Sequence, residues 1–246
     1  MKQQTLIMDL DDTLIHCHKY FQAARNRFAN LMKEWFDFLT QEEIIQKQLE
    51  VDVKCVEMQG LHSSVFPESL VRTYWYFCRK YKRKIRNKDE DRVRKIGQNV
   101  FLQEVQPFPY MYEVLDQLQK DGHQLYLFTG GDVTNQSRKI TQSNLEPYFS
   151  NGIFIFEQKN TETLLKVLNK INSEKRSTWM IGNSLKTDIM PAIELGINAI
   201  HIPAEFEWSY NIVDIDITPN GTFAELESLL QLPDYLREYC FFNAVI

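Results

Sequence analysis

Beyond Pro109 the chain alternates between short apolar runs and longer amphipathic ones, and this alternation narrows its fold more than any other feature. Residues 124–128 (QLYLF), 152–156 (GIFIF), 178–181 (TWMI) and 199–202 (AIHI) are almost continuously apolar, as strands buried on both faces are. Residues 111–118, 135–144, 161–171 and 185–195 carry apolar side chains at helical spacing instead. Strands alternating with helices imply a parallel sheet with helices on both faces. Residues 5–9 (TLIMD) supply a first strand, and Thr222 with Glu225 has the spacing of a capping box, which predicts a last helix over residues 223–230.

Between the first strand and this series lies a stretch of different character. Tyr20, Phe21, Ala24, Phe28, Leu31, Met32, Trp35, Phe36 and Leu39 form one helical stripe; Leu70, Tyr74, Phe77, Cys78, Tyr81 and Ile85 form another. Residues 17–103 therefore read as helices without a strand, broken by a loop at residues 60–69 where Gly60 and Pro67 interrupt the pattern. The expected layout is an α/β core of residues 1–16 and 104–246, interrupted after its first strand by an all-helical insertion of residues 17–103.

Bulk properties bound the function. A chain of 246 residues, 43% hydrophobic and 25% charged, has the composition of a soluble globular protein. No run approaches the roughly 18 apolar residues of a membrane span. The first apolar run is short and ends in acid, unlike a secretory signal, so the cytoplasm is the expected location. Cys17, Cys55, Cys78 and Cys240 match no zinc spacing and are expected as free thiols. Residues 17–103 hold 17 Lys and Arg against 11 Asp and Glu, although the whole chain carries a net charge of −5. Most of that local excess is the run RKYKRKIRNKDEDRVRK from Arg79 to Lys95. With a chain pI of about 5.6 it reads as a solvated helix face, with attraction of anionic substrates as the second reading, and not as a nucleic-acid site.

In sheets of this kind ligands bind beyond the carboxyl ends of the strands. Those positions hold Asp9-Leu10-Asp11-Asp12-Thr13, Thr129-Gly130-Gly131, Lys159 a little past its strand, and Gly182-Asn183-Ser184 with Asp188. Two carboxylates one residue apart at a strand end point into one crevice, where their repulsion calls for a cation or a proton. Mg²⁺ fits, because it prefers oxygen ligands and takes only one or two carboxylates alongside substrate phosphate. A hydroxyl, glycines that bare backbone N–H groups and a lysine complete a phosphate site.

This ordered set resembles the haloacid dehalogenase superfamily of phosphohydrolases. DLDDTL at Asp9–Leu14 is similar to its first motif, LFTGG at Leu127–Gly131 to its second, Lys159 to its third and GNSLKTDI at Gly182–Ile189 to its fourth. The insertion lies where that superfamily places a helical cap. The resemblance implies a Rossmann-like parallel sheet core with an all-helical cap domain, and a Mg²⁺-dependent phosphatase working through an aspartyl-phosphate. It implies Asp9 as nucleophile and Asp11 as the acid that protonates the leaving oxygen and later deprotonates water. It implies Thr129, the Gly130 N–H and Lys159 as the phosphate-binding groups. The Asp9 carboxylate, the Asp11 backbone carbonyl and Asp188 are implied as metal ligands. Asn183 stands where the fourth motif usually has an acid, so it is either a further ligand or a residue that orders metal-bound water or Lys159.

The expected substrate is a small phosphorylated metabolite, such as a nucleoside monophosphate or a sugar phosphate, with neither nucleic acid nor membrane as partner. His62 and Arg72 are the insertion's candidates for substrate contact, His62 because it lies in a loop that breaks the helical pattern. Three other readings share the resemblance: a phosphomutase, a dehalogenase, and a non-catalytic binding module on the same fold. Asp11 counts against the dehalogenase, whose branch generally lacks that second acid. His16-Cys17-His18 is too contiguous to converge easily on one ion. Asp214-Ile215-Asp216-Ile217-Thr218 repeats the DxDxT spacing with too little chain behind it for the remaining motifs.

Overall fold

The computed structural model of the chain describes residues 2–216 and 218–243. It comprises two compact units, one built from Met1–His16 and Val105–Ile246 and the other from Cys17–Glu104.

The second unit is helical: α1 (His18–Lys33), α2 (Gln41–Gln59), α3 (Val65–Lys80) and α4 (Asn87–Gln98), with a short 3₁₀ turn at Asn99–Leu102. Thr40 opens α2 with a reciprocal cap, its Oγ1 accepting from the Glu43 N–H at 3.1 Å while Glu43 Oε2 accepts from the Thr40 N–H at 2.8 Å. Phe28, Met32, Leu70, Tyr74, Phe77 and Val93 fill the core. The first stripe outruns its helix: α1 stops at Lys33, and Phe36 and Leu39 enter the same core from the turn that follows. The expected 60–69 loop is shorter than its composition suggests. Pro67 lies in the first turn of α3, where a missing N–H costs no intrahelical bond, so the loop ends at Ser64.

The unit also buries a polar network. Arg25 Nε donates to Gln48 Oε1 at 2.8 Å and Arg25 Nη2 to Asp52 Oδ2 at 3.1 Å. Gln48 Nε2 donates to Ser69 Oγ at 3.0 Å, and Ser69 Oγ lies 2.7 Å from Asp52 Oδ1.

The first unit is an α/β core. Its strands are β1 (Thr5–Met8), β2 (Gln124–Gly130), β3 (Ile153–Phe156), β4 (Thr178–Gly182), β5 (Asn198–His201) and β6 (Phe223–Glu225). They form one sheet in the order β3-β2-β1-β4-β5-β6, every pair parallel. Successive strand residues enter opposite faces, as the pleat requires. Leu6, Met8, Leu125, Leu127, Trp179 and Ile181 pack on one face beneath α5 (Met111–Lys120), α6 (Val133–Gln142) and the last helix. Ile7, Tyr126, Phe128 and Met180 pack on the other beneath α7 (Thr161–Ile171) and α8 (Met190–Leu195). The last helix is α9 (Leu232–Asn243), which contributes Leu232 and Leu236.

The helix expected over residues 223–230 is a strand instead. The Thr222 carbonyl accepts from Ala199 N–H at 2.9 Å, the Thr222 N–H donates to Asn198 Oδ1 at 2.8 Å, and Leu226 N–H donates to the His201 carbonyl at 2.9 Å. Pairing with the edge of β5 takes up the Thr222 N–H that a capping box would have given to Glu225. Asp214, Asp216 and Thr218 are exposed and lie outside helix and strand; Ile217 falls outside the described residues.

β1 is central, with β2 on one side and β4 on the other. The chain reverses its winding there, so the loops after these three strands part and leave a crevice at their carboxyl ends.

Candidate active site

Asp9 is the first residue beyond β1. Its N–H donates to the Ile181 carbonyl at 2.9 Å, which keeps the backbone tied to β4. Its side chain, 7% exposed, accepts from Thr13 Oγ1 at 3.1 Å through Oδ2 and from Lys159 Nζ through Oδ1. Thr13 returns to Asp9 because residues 10–15 form a tight loop. Asp12 N–H donates to the Ile15 carbonyl at 2.7 Å and Leu14 N–H to the Leu10 carbonyl at 2.9 Å. Asp12 supplies the left-handed turn with φ of 59°, a conformation that Asp tolerates better than most residues. Asp11, half-buried in this loop, accepts from Lys139 Nζ on both oxygens, at 2.8 and 2.7 Å, and from Gln136 Nε2 at 3.1 Å.

Thr129 and Gly130 end β2. Thr129 is fully buried, and its Oγ1 accepts from Gln136 Nε2 at 2.6 Å. Lys159 sits between β3 and α7, where Asn160 caps α7 by accepting the Thr163 N–H at 3.0 Å. That cap anchors the backbone immediately after the lysine. The Lys159 ammonium bridges Asp9 and Asp188, lying 2.5 Å from Asp188 Oδ1.

Asp188 reaches the crevice by a wide π-type turn, Leu185–Ile189, placed just before α8. Such turns carry one residue more than an α-turn and recur at functional sites. Ser184 opens the turn, its Oγ accepting the Thr187 N–H at 3.1 Å while its own N–H donates to Asp188 Oδ2 at 3.0 Å. Gly182 leaves the room: a Cβ there would stand 2.2 Å from Asp188 Oδ2. Asn183 is buried, and its carbonyl accepts from His201 Nε2 at 2.9 Å. His201 Nδ1 in turn lies 2.8 Å from Glu225 Oε2.

Burial pushes the Asp9 carboxyl up to about 7, a rise that Lys159 opposes and Asp188 reinforces. Burial also works against the charge on Lys159, but the Asp188 and Asp9 carboxylates outweigh it and hold the ammonium above the ordinary lysine range. Two buried carboxylates thus share one ammonium. Asp188 Oδ1, fully buried, accepts no aligned hydrogen bond despite its closeness to Lys159. Hard oxygen donors with uncompensated negative charge suit a small divalent cation. Among the described residues no three His, Cys, Asp or Glu side chains converge as a closed cage. An open pair of carboxylates is what Mg²⁺ uses when phosphate and water complete its shell.

The core thus brings Asp9, Asp11, Thr129, Lys159, Asn183 and Asp188 to the ends of adjacent strands. His62 and Arg72 belong to the helical unit. There His62 Nδ1 lies 2.8 Å from Ser64 Oγ, and Arg72 lies 3.8 Å from Glu68 Oε1 and 3.6 Å from Cys55 Sγ. Gln136, Lys139 and His201 went unread in the sequence. The only signal for the first two is a polar pair three residues apart on the helix that follows Thr129-Gly130-Gly131.

The haloacid dehalogenase-like hydrolase family matches residues 3–196 of the chain. Among curated proteins, the chain is 29% identical to the pyrimidine 5'-nucleotidase PynA of Streptococcus pneumoniae, over 79% of its own length and 81% of the relative's. It is 21% identical to the glyceraldehyde 3-phosphate phosphatase of Methanothermobacter thermautotrophicus, over 92% and 99% of the two chains. Among solved structures, a haloacid dehalogenase-like family hydrolase from Xanthomonas campestris shares the fold with a TM-score of 0.78 at 24% identity, covering 96% of this chain and 91% of that one. The HAD-hydrolase YfnB of Bacillus subtilis, solved with bound magnesium, shares it with a TM-score of 0.63 at 20% identity, over 96% and 99%. A family match that runs from β1 through α8 spans every strand end at which the polar residues gather, and on that ground the chain belongs to the haloacid dehalogenase-like hydrolases.

Proposed function

We propose that the chain is a Mg²⁺-dependent phosphomonoesterase that attacks a small phosphate ester with the Asp9 carboxylate. The observation that carries this reading is the buried Asp9, held by Thr13 and Lys159 at the end of the central strand with Asp188 beside it. A carboxylate so held is oriented for attack and kept from bulk water. The phosphatase and nucleotidase activities named for its relatives support the same reaction class.

In the first step an Asp9 oxygen bonds to phosphorus as the ester P–O bond breaks. The electron pair leaves on the alcohol oxygen, which takes the proton of Asp11. In the second step water attacks phosphorus and Asp11 recovers a proton from it. The bond from phosphorus to Asp9 then breaks, releasing phosphate and restoring the carboxylate. Thr129 Oγ1 and the Gly130 N–H donate to phosphoryl oxygens, and the Lys159 ammonium offsets the negative charge gathered there. The Asp9 carboxylate, the Asp11 carbonyl and Asp188 would hold Mg²⁺, with Asn183 beside them. When bound, the ion neutralises phosphoryl charge.

Hydrolysis of p-nitrophenyl phosphate with and without Mg²⁺, by wild type and Asp9→Asn, tests the mechanism. Activity that needs Mg²⁺ and vanishes in the variant is expected; metal-independent turnover or a fully active variant would overturn it. A panel holding glyceraldehyde 3-phosphate, pyrimidine nucleoside monophosphates and other sugar phosphates then identifies the substrate class. No turnover across the panel would favour a binding module.

A further inference from the structure

Asp11 is held by two groups to which the reaction above gives no role. Both come from α6. Asp132 opens this helix by accepting the Asn135 N–H at 2.9 Å, and Ile140 sinks into the apolar face of the sheet, which fixes how the helix is rotated. Gln136 and Lys139, three residues apart, therefore share a face. Gln136 is buried, and its single amide nitrogen reaches both Thr129 Oγ1 at 2.6 Å and Asp11 Oδ2 at 3.1 Å. Gly131, with φ of 144°, makes room for it: a Cβ there would stand 2.8 Å from Gln136 Cγ. One turn further along, Lys139 Nζ grips both Asp11 oxygens at 2.8 and 2.7 Å. Lys139 is 12% exposed in its side chain and Asp11 24%, so water screens the pair only partly.

We propose that Lys139, with Gln136 beside it, is a positioning residue for the proton transfers at Asp11. The inference rests on the phosphatase reading and deepens it. When the ester bond breaks, the proton leaves Asp11 for the alcohol oxygen and negative charge appears on the carboxylate. The grip on both oxygens is that of the ionised carboxylate, the state Asp11 reaches on giving up its proton, so the ammonium stabilises that charge as it forms. The amide of Gln136 ties the same carboxylate to the hydroxyl assigned to the phosphoryl group, so one helix sets the register between proton donor and phosphate. The residue acts through Asp11 and needs no contact with substrate.

A leaving group that depends on protonation should feel the loss of Lys139 most. The test compares p-nitrophenyl phosphate, whose leaving group departs readily unprotonated, with an unactivated alkyl ester such as glyceraldehyde 3-phosphate. Lys139→Met is expected to lower kcat on the alkyl ester by at least about 10-fold and on the aryl ester by less than about 3-fold, with KM little changed. Lys139→Arg should recover most of the loss, which also shows that the site tolerates replacement. In an Asp11→Asn background, Lys139→Met should cost nothing more. Equal losses on both esters, a loss confined to KM, or full additivity with Asp11→Asn would overturn the inference while leaving the phosphatase reading intact. A wild type inactive on both esters would overturn that reading and this inference with it. Independently of turnover, the Lys139 ammonium should give an exchange-protected NMR signal in wild type that Asp11→Asn abolishes; its absence in wild type also overturns the inference.

Discussion

Both units of this protein bury an ion pair, and the two pairs are completed in opposite ways. In the helical unit Arg25 and Asp52 are closed into a ring with Gln48 and Ser69, and both Asp52 oxygens find a partner inside the ring. In the core, Asp9 and Asp188 compete for Lys159, and Asp188 Oδ1 is left without an aligned hydrogen bond. Among the described residues the other buried side-chain atoms without a partner are His123 Nε2 and Trp208 Nε1, both in the core unit and not in the ring. A closed network satisfies the cost of burial and specifies a structure; an open one stores unmet charge that a ligand can use.

Breaking each network should therefore register in a different quantity. Asp9→Asn removes one of two competing carboxylates. It should lower kcat by at least ~10³-fold while leaving the urea unfolding midpoint unchanged or higher. Asp52→Ala should do the reverse, stranding the Arg25 guanidinium. A loss of about 3–5 kcal/mol in unfolding free energy is expected, and Arg25→Met with Asp52→Leu should restore most of it, since an apolar pair of similar volume carries no buried charge. A destabilised Asp9→Asn, or an Asp52→Ala as stable as wild type, would erase the distinction.

Gly182→Ala sharpens the core side. Its Cβ would occupy the place of Asp188 Oδ2, so Asp188 must move. A displacement of that size should cost about 10²-fold in kcat and raise the Mg²⁺ concentration needed for half-maximal activity.

The smallest effect concerns acid. Burial, followed by the charge of Arg25, lowers the pKa of His18 in the helical unit from 6.5 to about 4. The unfolded chain then binds a proton that the folded chain refuses. This contribution is complete above pH 6.5, is lost as pH falls towards 4, and falls no further below it. The side chain is partly exposed, so about 1–2 kcal/mol is expected. Unfolding curves of His18→Gln should show a shallower decline across that window.

Much of this architecture was legible because its physical signals are local. The strands β1 to β5 announce themselves as apolar runs because a parallel sheet covered on both faces tolerates little else. The four motifs stand out because each follows such a run. β6 did not stand out, since Phe223–Glu225 is short and lies beside a false capping signal at Thr222 and Glu225. Gln136 and Lys139 were invisible for a related reason. Polar residues on one face of a helix ordinarily meet solvent, and their sequence does not say when that face turns inward.

The sequence by itself determined the alternation of strand and helix, the place of the helical insertion and the residues that stand at the strand ends. Each of these depends on contacts between near neighbours or on apolar periodicity, which the chain carries wherever it goes. Only the tertiary structure decided how those residues are paired. The sharing of Lys159 between Asp9 and Asp188 joins residues from three separate loops, and the grip of Lys139 on Asp11 spans 128 positions. Such pairings arise from the order of strands in the sheet and the rotation of α6 upon it, which are set when the apolar faces pack.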